Sequence, residues 1–515
     1  MRIRLTPLRC ALLTAAPALV YRLLLSRVYF GQEEEDWGNL GLIVGTAQSG
    51  FGYIETEHMP LYTTLAALVY RITGDAQVAG ELVAITMGAL TVGLVAFMAA
   101  RWLSPATGLL AGLLLAVQPD LALLSSTTLR TSTYTAFAVA TVLAVGERRW
   151  ILAGALFWGA FLTRFDAMLG LLPALLVAAA TPWLDAPGTR GGRRRVAGAL
   201  LAGAVLPFWA TLYRRSEGTA RFWEGVVSRN TGNFDELGML ERLGKGGETL
   251  WLVATHVLPD HLSWCVLGLI PLGLAGVLGG RADQPRAARW LAFAGVATTA
   301  VFVTTVLLSA YRWDHNLYWK WLAVTLPLSL PFAAHGGVLL VRRLGARPGA
   351  LVAVGLALGA ALPMYRQTWH QLTRSDSWIG TQVRLAAWFE RATEPDVAIL
   401  ADLVPATWLS RHEDPRRVLR WSQERDALPR DRDAFGRWLL DHRVGVVIWF
   451  QEDWVGAAEV APWLGTPTRT SAGPVELIPI AREEGYGFVA WEVRAPTLPR
   501  PTEAVPTDAG ALRDR

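Results

Sequence analysis

Apolar residues run along the first 365 positions in long blocks, each closed by a short polar turn. A membrane helix needs about 20 predominantly apolar residues. Blocks of that kind fall at Cys10–Leu25, Val78–Ala100, Ala106–Pro119, Thr131–Val145, Trp150–Leu162, Ala167–Trp183, Val196–Leu212, Leu262–Leu278, Trp290–Leu308, Trp321–Val341 and Gly349–Tyr365. The pattern predicts a polytopic α-helical membrane protein with about eleven spans, several of them short and glycine-rich, as tilted helices tolerate. Two connecting loops are large, at residues 31–77 and 214–261.

After Tyr365 the hydropathy drops and the period changes. Val397–Leu400, Val444–Phe450, Val475–Ile480 and Phe488–Val493 read as short strands, and Ala434–Leu440 as an amphipathic helix. The organisation expected is a transmembrane domain over residues 1–365, a small α/β domain over 366–495, and a proline-bearing tail at 496–515 that composition assigns to disorder. No internal repeat is visible, so an inverted-repeat transporter gains no support.

Composition agrees with a lipid-embedded chain. Of 515 residues, 52% are hydrophobic and only 18% charged, where an ordinary globular domain carries about 25% charge. Mean hydropathy is +0.31. Tryptophan (23) and glycine (49) are abundant, as they are in and around membrane helices. The 48 basic residues outnumber 43 acidic ones, and the only lysines are Lys245 and Lys320. A nucleic-acid binder would gather that charge on one soluble face, so no nucleic-acid partner is expected. Cys10 and Cys265 both lie in apolar stretches and imply no disulfide framework or zinc-cysteine site.

The arginines instead mark orientation. The basic start (Arg2, Arg4, Arg9) leads into an apolar run, but Arg22 and Arg27 stand where a signal-peptide cleavage site should lie, so the run reads as an uncleaved first span. With the N-terminus inside, the short basic turns at Arg101, Arg148–Arg149, Arg190–Arg195, Arg281–Arg289 and Arg342–Arg347 all fall on the cytoplasmic side, as the positive-inside rule requires. Glu33–Asp36, Glu55, Glu57, Asp235 and Glu236 then fall outside, with the C-terminal domain. The expectation is a multi-pass protein of the cytoplasmic (inner) membrane whose chemistry lies at its outer face.

Candidate chemistry clusters on that face. Gln32-Glu33-Glu34-Glu35-Asp36-Trp37 places four carboxylates together directly after the first span. Crowding raises the proton affinity of at least one of them, which suits a general base working on a hydroxyl; a solvated acidic collar is the plainer alternative. Farther on come Glu57-His58-Met59-Pro60-Leu61-Tyr62, a polar loop from Pro119 to Arg130, and Leu162-Thr163-Arg164 at a span end. His58 beside Glu55 or Glu57 is the one candidate for a divalent metal, and a loop-packing histidine is the simpler reading. No Gly-rich phosphate loop and no Ser-His-Asp elbow is present.

This arrangement resembles the GT-C glycosyltransferases, specifically the protein-mannosyltransferase and aminoarabinose-transferase-like superfamily, over about residues 1–345 and loosely into the outer C-terminal domain. The resemblance implies an acidic catalytic base in the first outer loop, here Asp36 with Glu35 as the alternate. It aligns Pro60-Leu61-Tyr62 with the family's Pro-Leu-Tyr element, giving substrate-binding candidates Glu57, His58 and Tyr62, and Leu162-Thr163-Arg164 with its Leu-Thr-Arg element. The sequence departs from the family at two points. Thr131-Ser132 stands where members often carry Ser-Glu, and Tyr311-Arg312-Trp313-Asp314-His315-Asn316 stands where an Arg-Tyr pair usually opens a late span.

The reaction the resemblance implies is transfer of a sugar from a polyprenyl-phosphate donor, with inversion, to an envelope glycan, lipid or protein acceptor. Charge developing on the departing phosphate asks for paired guanidinium hydrogen bonds. Arg164 and Arg130 are the first candidates, Arg312 and Lys320 the next, and His315 a donor-orienting one. Each arginine has the alternative of reaching from a span end to lipid headgroups. A lipid-linked saccharide transporter and an inactive scaffold of the same fold are the competing functions.

Overall fold

The computed structural model describes residues 5–29, 34–49, 59–164, 167–181, 192–208, 239–279, 286–309, 315–375, 397–401, 418–419, 421–424, 427–450, 457–483, 488–496 and 498. Its contacts divide the chain into two compact units: Met1–Tyr29 with Leu42–Gln371, and Phe30–Gly41 with Leu372–Arg515.

The larger unit is helical. Its elements are α1 (Pro7–Leu25), α2 (Glu34–Gln48, whose first residues group with the other unit), α3 (Pro60–Thr73), α4 (Ala76–Trp102), α5 (Pro105–Val117), α6 (Pro119–Leu124), α7 (Thr131–Gly146) and α8 (Trp150–Phe161). There follow α9 (Ala167–Ala180), α10 (Gly192–Gly203), α11 (Met239–Leu252), α12 (Leu258–Leu278), α13 (Arg286–Ser309), α14 (His315–Leu344) and α15 (Ala346–Ser375). Among the described residues six helical stretches are long and apolar enough to cross a membrane, and α5, α7, α8 and α9 are shorter apolar helices. Length alone therefore does not reach the expected eleven, because the short helices fall below a straight crossing.

Capping explains where several helices begin. Thr6, Asp75 and Ser104 each accept a hydrogen bond from the backbone N–H three residues on, and proline occupies the first turn of α1, α3, α5 and α6. The apolar blocks pack through small side chains. A Cβ on Gly273 of α12 would come within 1.9 Å of the Phe332 carbonyl oxygen, so the backbones of α12 and α14 touch only because that residue is glycine. Tryptophan N–H groups tie other pairs, Trp290 to the Val142 carbonyl at 2.8 Å and Trp158 to the Leu201 carbonyl at 2.7 Å. Outward faces stay apolar: Leu351, Val354, Leu358 and Leu362 of α15 are all more than half exposed at helical spacing, as lipid contact requires.

The smaller unit carries a six-stranded sheet in the order β2-β1-β3-β6-β5-β4. Its strands are β1 (Ala398–Leu400), β2 (Val418–Leu419), β3 (Val444–Phe450), β4 (Thr470–Ala472), β5 (Val475–Glu483) and β6 (Phe488–Arg494). β1 runs parallel to β2 and β3, and the other pairings are antiparallel. Helix α17 (Arg432–Asp441), which follows the short α16 (Trp421–Glu424), is started by Asp431, whose carboxylate accepts from the Ala434 N–H. It buries Phe435, Trp438 and Leu439 in the core formed with Trp421, Val446 and Trp491. All four strands and the helix expected from sequence are present; β2 and β4 were too short to show a period.

Candidate functional site

The helix order places the Pro119–Arg130 loop, the start of α3, the end of α8 and the break in α12 at one end of the bundle. The opposite end is marked by the contact of Arg101 with Glu147, where Nε and Nη2 donate to the carboxylate at 2.6 and 3.0 Å.

Two of the motif elements meet at the first end. Proline at the start of α3 has no N–H, and the next residue's N–H has no helical acceptor. The Leu61 N–H donates instead to the Leu162 carbonyl at 2.9 Å, an acceptor left over at the end of α8. Pro60-Leu61-Tyr62 and Leu162-Thr163-Arg164 are thereby joined backbone to backbone. Tyr62 is fully buried against Ile43, Ala66 and Ala67, and its hydroxyl donates to the Gly80 carbonyl at 3.2 Å. It packs α3 against α4 rather than opening onto solvent. Thr163 is also buried and donates to the Gly159 carbonyl at 2.8 Å.

Arg164 leaves this junction half-buried, its guanidinium carbon 5.8 Å from the centre of the Tyr134 ring, within reach of a cation–π attraction. Arg130 precedes α7, and its carbonyl accepts from the Tyr134 N–H at 3.1 Å. Tyr134 thus links the two arginines expected to hold phosphate, one through its ring and one through its backbone.

The strongest polar feature at this end escaped the sequence reading. Asp120, in the first turn of α6, and His261 of α12 are about one-twentieth exposed, and Nδ1 of His261 lies 2.8 Å from both carboxylate oxygens. Gln118 Nε2 donates to the same carboxylate at 2.6 Å, and Gln367 Nε2 of α15 lies 2.9 Å from His261 Nε2. With Nδ1 donating to the carboxylate, Nε2 is the acceptor for the glutamine amide. The chain Gln118–Asp120–His261–Gln367 ties the loop leading to Arg130 to α12 and α15.

Beside it the backbone departs from helix. Ser263 is buried at φ 66° and ψ 151° inside α12, and a π-helical turn, Val253–Val257, precedes that helix. Backbone held in so sparsely populated a region costs about 1–3 kcal/mol and persists where its surroundings enforce it, commonly at functional sites. A second acid missed from sequence is Glu81 of α4, whose Oε1 accepts from Gln77 Nε2 at 2.8 Å.

The remaining candidates are placed only in part. Glu35 and Asp36 stand in the first turn of α2, and His315 and Lys320 in the first two turns of α14; their side chains are outside the described residues. Glu57, His58 and Arg312 lie outside the described residues altogether. Among the described residues no group of three or more His, Cys, Asp or Glu is placed to hold a metal.

Comparison of the whole chain with solved structures decides the fold. ArnT from Cupriavidus metallidurans in the apo state superposes with a TM-score of 0.57 at 14% identity, over 93% of this chain and 97% of that one. The same protein bound to undecaprenyl phosphate gives 0.56 at 15% identity, over 95% and 99%. The oligosaccharyltransferase of Archaeoglobus fulgidus gives 0.52 at 11% identity, over 86% and 69%. This chain has the GT-C fold. A family model described as dolichyl-phosphate-mannose-protein mannosyltransferase matches residues 57–207. That segment of the GT-C fold holds the Leu61–Leu162 junction, Asp120, Arg130 and Arg164. No curated protein matches the chain by sequence.

Proposed function

We propose that this chain is a membrane glycosyltransferase that moves a sugar from a polyprenyl-phosphate donor to a hydroxyl of an envelope glycan, lipid or protein. The reaction takes place at the outer face of the cytoplasmic membrane. The observation that carries this reading is the superposition over nearly the full length of both chains on a protein holding undecaprenyl phosphate. The carrier's apolar tail suits a lipid-facing groove, and its phosphate suits the arginines near the ends of the helices.

In the proposed step the acceptor oxygen forms a bond to the anomeric carbon while the bond from that carbon to the phosphate oxygen breaks. The bonding pair leaves with the carrier phosphate. The acceptor proton passes to the Asp36 carboxylate, with Glu35 as the alternate base. Direct displacement inverts the anomeric centre. Arg164, with Arg130 and then Arg312 and Lys320, takes up charge on the departing phosphate. A guanidinium does so with two parallel hydrogen bonds that a lysine cannot reproduce. His315, Glu57 and His58 are assigned to substrate contacts. Tyr62, buried and hydrogen-bonded, supports the junction from behind. The Asp120–His261 chain holds the Pro119–Arg130 loop in position and touches no reacting atom.

The test is a set of variants in one transfer assay using labelled polyprenyl-phosphate sugars. Asp36→Asn is expected to abolish transfer while Glu35→Gln retains it. Loss in Glu35→Gln alone would move the base by one residue, and full activity in both would remove the acidic loop from the chemistry. Proton NMR of the product reads the anomeric outcome, and retention of configuration would overturn direct displacement.

A further inference from the structure

Helix α6 has only six residues, yet it carries Asp120 and leads through the polar loop to Arg130. So short a helix does not hold its own place, because the first four N–H and last four carbonyl groups of any helix lack helical partners. His261 secures it from α12 through Asp120. A residue of α1 that the proposed step does not use secures it at both of its ends.

Arg22, in the last turn of α1, is 1% exposed. Its Nε donates at 2.6 Å to Oγ of Ser125, the residue that closes α6. Its Nη1 donates to the Ala18 carbonyl at 3.2 Å and the Ala116 carbonyl at 3.4 Å. Ala116 belongs to the last turn of α5, whose carbonyls the helix leaves without donors. One guanidinium therefore spans α6, from the turn that precedes it to the residue that ends it. Ser125 passes the contact on, its hydroxyl donating to the Leu121 carbonyl inside α6. Gly88 of α4 makes the room, since a Cβ there would lie 2.4 Å from Ser125 Cβ and 2.9 Å from Arg22 Nε.

Such an arginine is a poor device for stability. Among the described residues its acceptors are one hydroxyl and two carbonyls, all neutral, and apolar replacement of buried charged groups is often neutral or stabilising. A methionine would fill the same space. It would not fix a direction, as the rigid guanidinium does with two diverging N–H bonds. An ionisable side chain inside a membrane bundle points by default to function. We propose that Arg22 is a positioning residue for the carrier phosphate: it sets α6 and the loop after it so that Arg130 reaches that phosphate. The proposal rests on the assignment of Arg130 to the phosphate, and Arg22 itself touches no reacting atom.

The test measures binding of radiolabelled undecaprenyl phosphate to the full chain purified in detergent. Arg22→Met is expected to raise Kd about tenfold, as for one misplaced phosphate contact. Its unfolding midpoint in micelles titrated with sodium dodecyl sulfate should stay at or above that of wild type. Arg130→Ala should weaken binding at least as much. In that background Arg22→Met should add less than about twofold, because it acts through Arg130. In the transfer assay Arg22→Met should raise the donor KM by the same factor and leave kcat within about threefold. If Arg22→Met does not fold, Ser125→Ala, which removes only the acceptor of Nε, takes its place and should raise Kd about threefold. Wild-type affinity in Arg22→Met, beside weakened binding in Arg130→Ala, would overturn this proposal alone. A lowered unfolding midpoint, or a full tenfold further loss in the Arg130→Ala background, would overturn it in favour of general packing. Wild-type affinity in Arg130→Ala would overturn the phosphate assignment and this proposal with it.

Discussion

Removing His261 strands a buried carboxylate, and the size of that effect can be worked from the geometry. Asp120 and His261 are each about 95% buried and 2.8 Å apart. In His261→Leu, Asp120 keeps only the bond from Gln118 at 2.6 Å. Breaking one side of a buried pair costs about 3–5 kcal/mol, whereas replacing both members by apolar groups is often close to neutral. His261→Leu should therefore cost about 3–5 kcal/mol, and Asp120→Leu, which leaves a neutral imidazole without its acceptor, about 1–3 kcal/mol. The double variant should cost well under the sum, leaving a coupling of about 2–3 kcal/mol. Asp120→Asn retains shape and one acceptor oxygen and should cost about 1.5–3 kcal/mol, the worth of a charge-assisted hydrogen bond. Unfolding in mixed detergent micelles titrated with sodium dodecyl sulfate, read by tryptophan fluorescence, supplies the four corners of the cycle. Additivity within about 0.5 kcal/mol would refute the argument, because it would mean that the two groups do not act as a pair.

Three further outcomes follow from other contacts. Arg164→Lys keeps the charge but loses the planar fork, and with one phosphate donor lost transfer should fall about 10²–10³-fold; a kcat within threefold of wild type, measured by product release, would remove Arg164 from the phosphate. Gly273→Ala forces a Cβ to 1.9 Å from the Phe332 carbonyl oxygen and should destabilise the helical unit by about 1–3 kcal/mol in the same micelle titration, with an unchanged midpoint counting against the close crossing. The Arg101 guanidinium, and after it the Trp102 indole, hold the Glu147 carboxyl below its ordinary value of 4.5. Its contribution is therefore fully present above pH 4.5 and lost as pH falls through the lower folded value. Because the Arg101 side chain is half exposed, that contribution is about 0.5–1 kcal/mol, and Glu147→Gln should flatten the stability profile below pH 4.5.

The two units were legible in the sequence to different depths. The helical blocks showed because each carries its own apolar run, and α17, β3, β5 and β6 because their periods of 3.6 and 2 extend over seven or more residues. The Leu61–Leu162 bond was half visible: both motif elements could be read, but the hydrogen bond between them is fixed by an orphan N–H meeting an orphan carbonyl, which no single segment announces. The Asp120–His261 pair was invisible, since 141 residues separate its members. Its signal was a lone aspartate between apolar α5 and the apolar end of α6, the kind of intramembrane carboxylate that calls for a named partner. Arg22 was noticed only as an obstacle to signal-peptide cleavage. Ser125, which accepts from its Nε just past the end of α6, and Gly88 of α4, whose missing Cβ admits it, are remote from it in sequence.

The most direct test of the central claim is transfer by the purified wild-type protein in liposomes supplied with radiolabelled polyprenyl-phosphate sugars and a crude envelope acceptor. The account predicts label in the acceptor together with stoichiometric release of the polyprenyl phosphate. Movement of the intact lipid-linked sugar between leaflets, with no label transferred for any donor, would contradict it and make the protein a transporter on a GT-C scaffold.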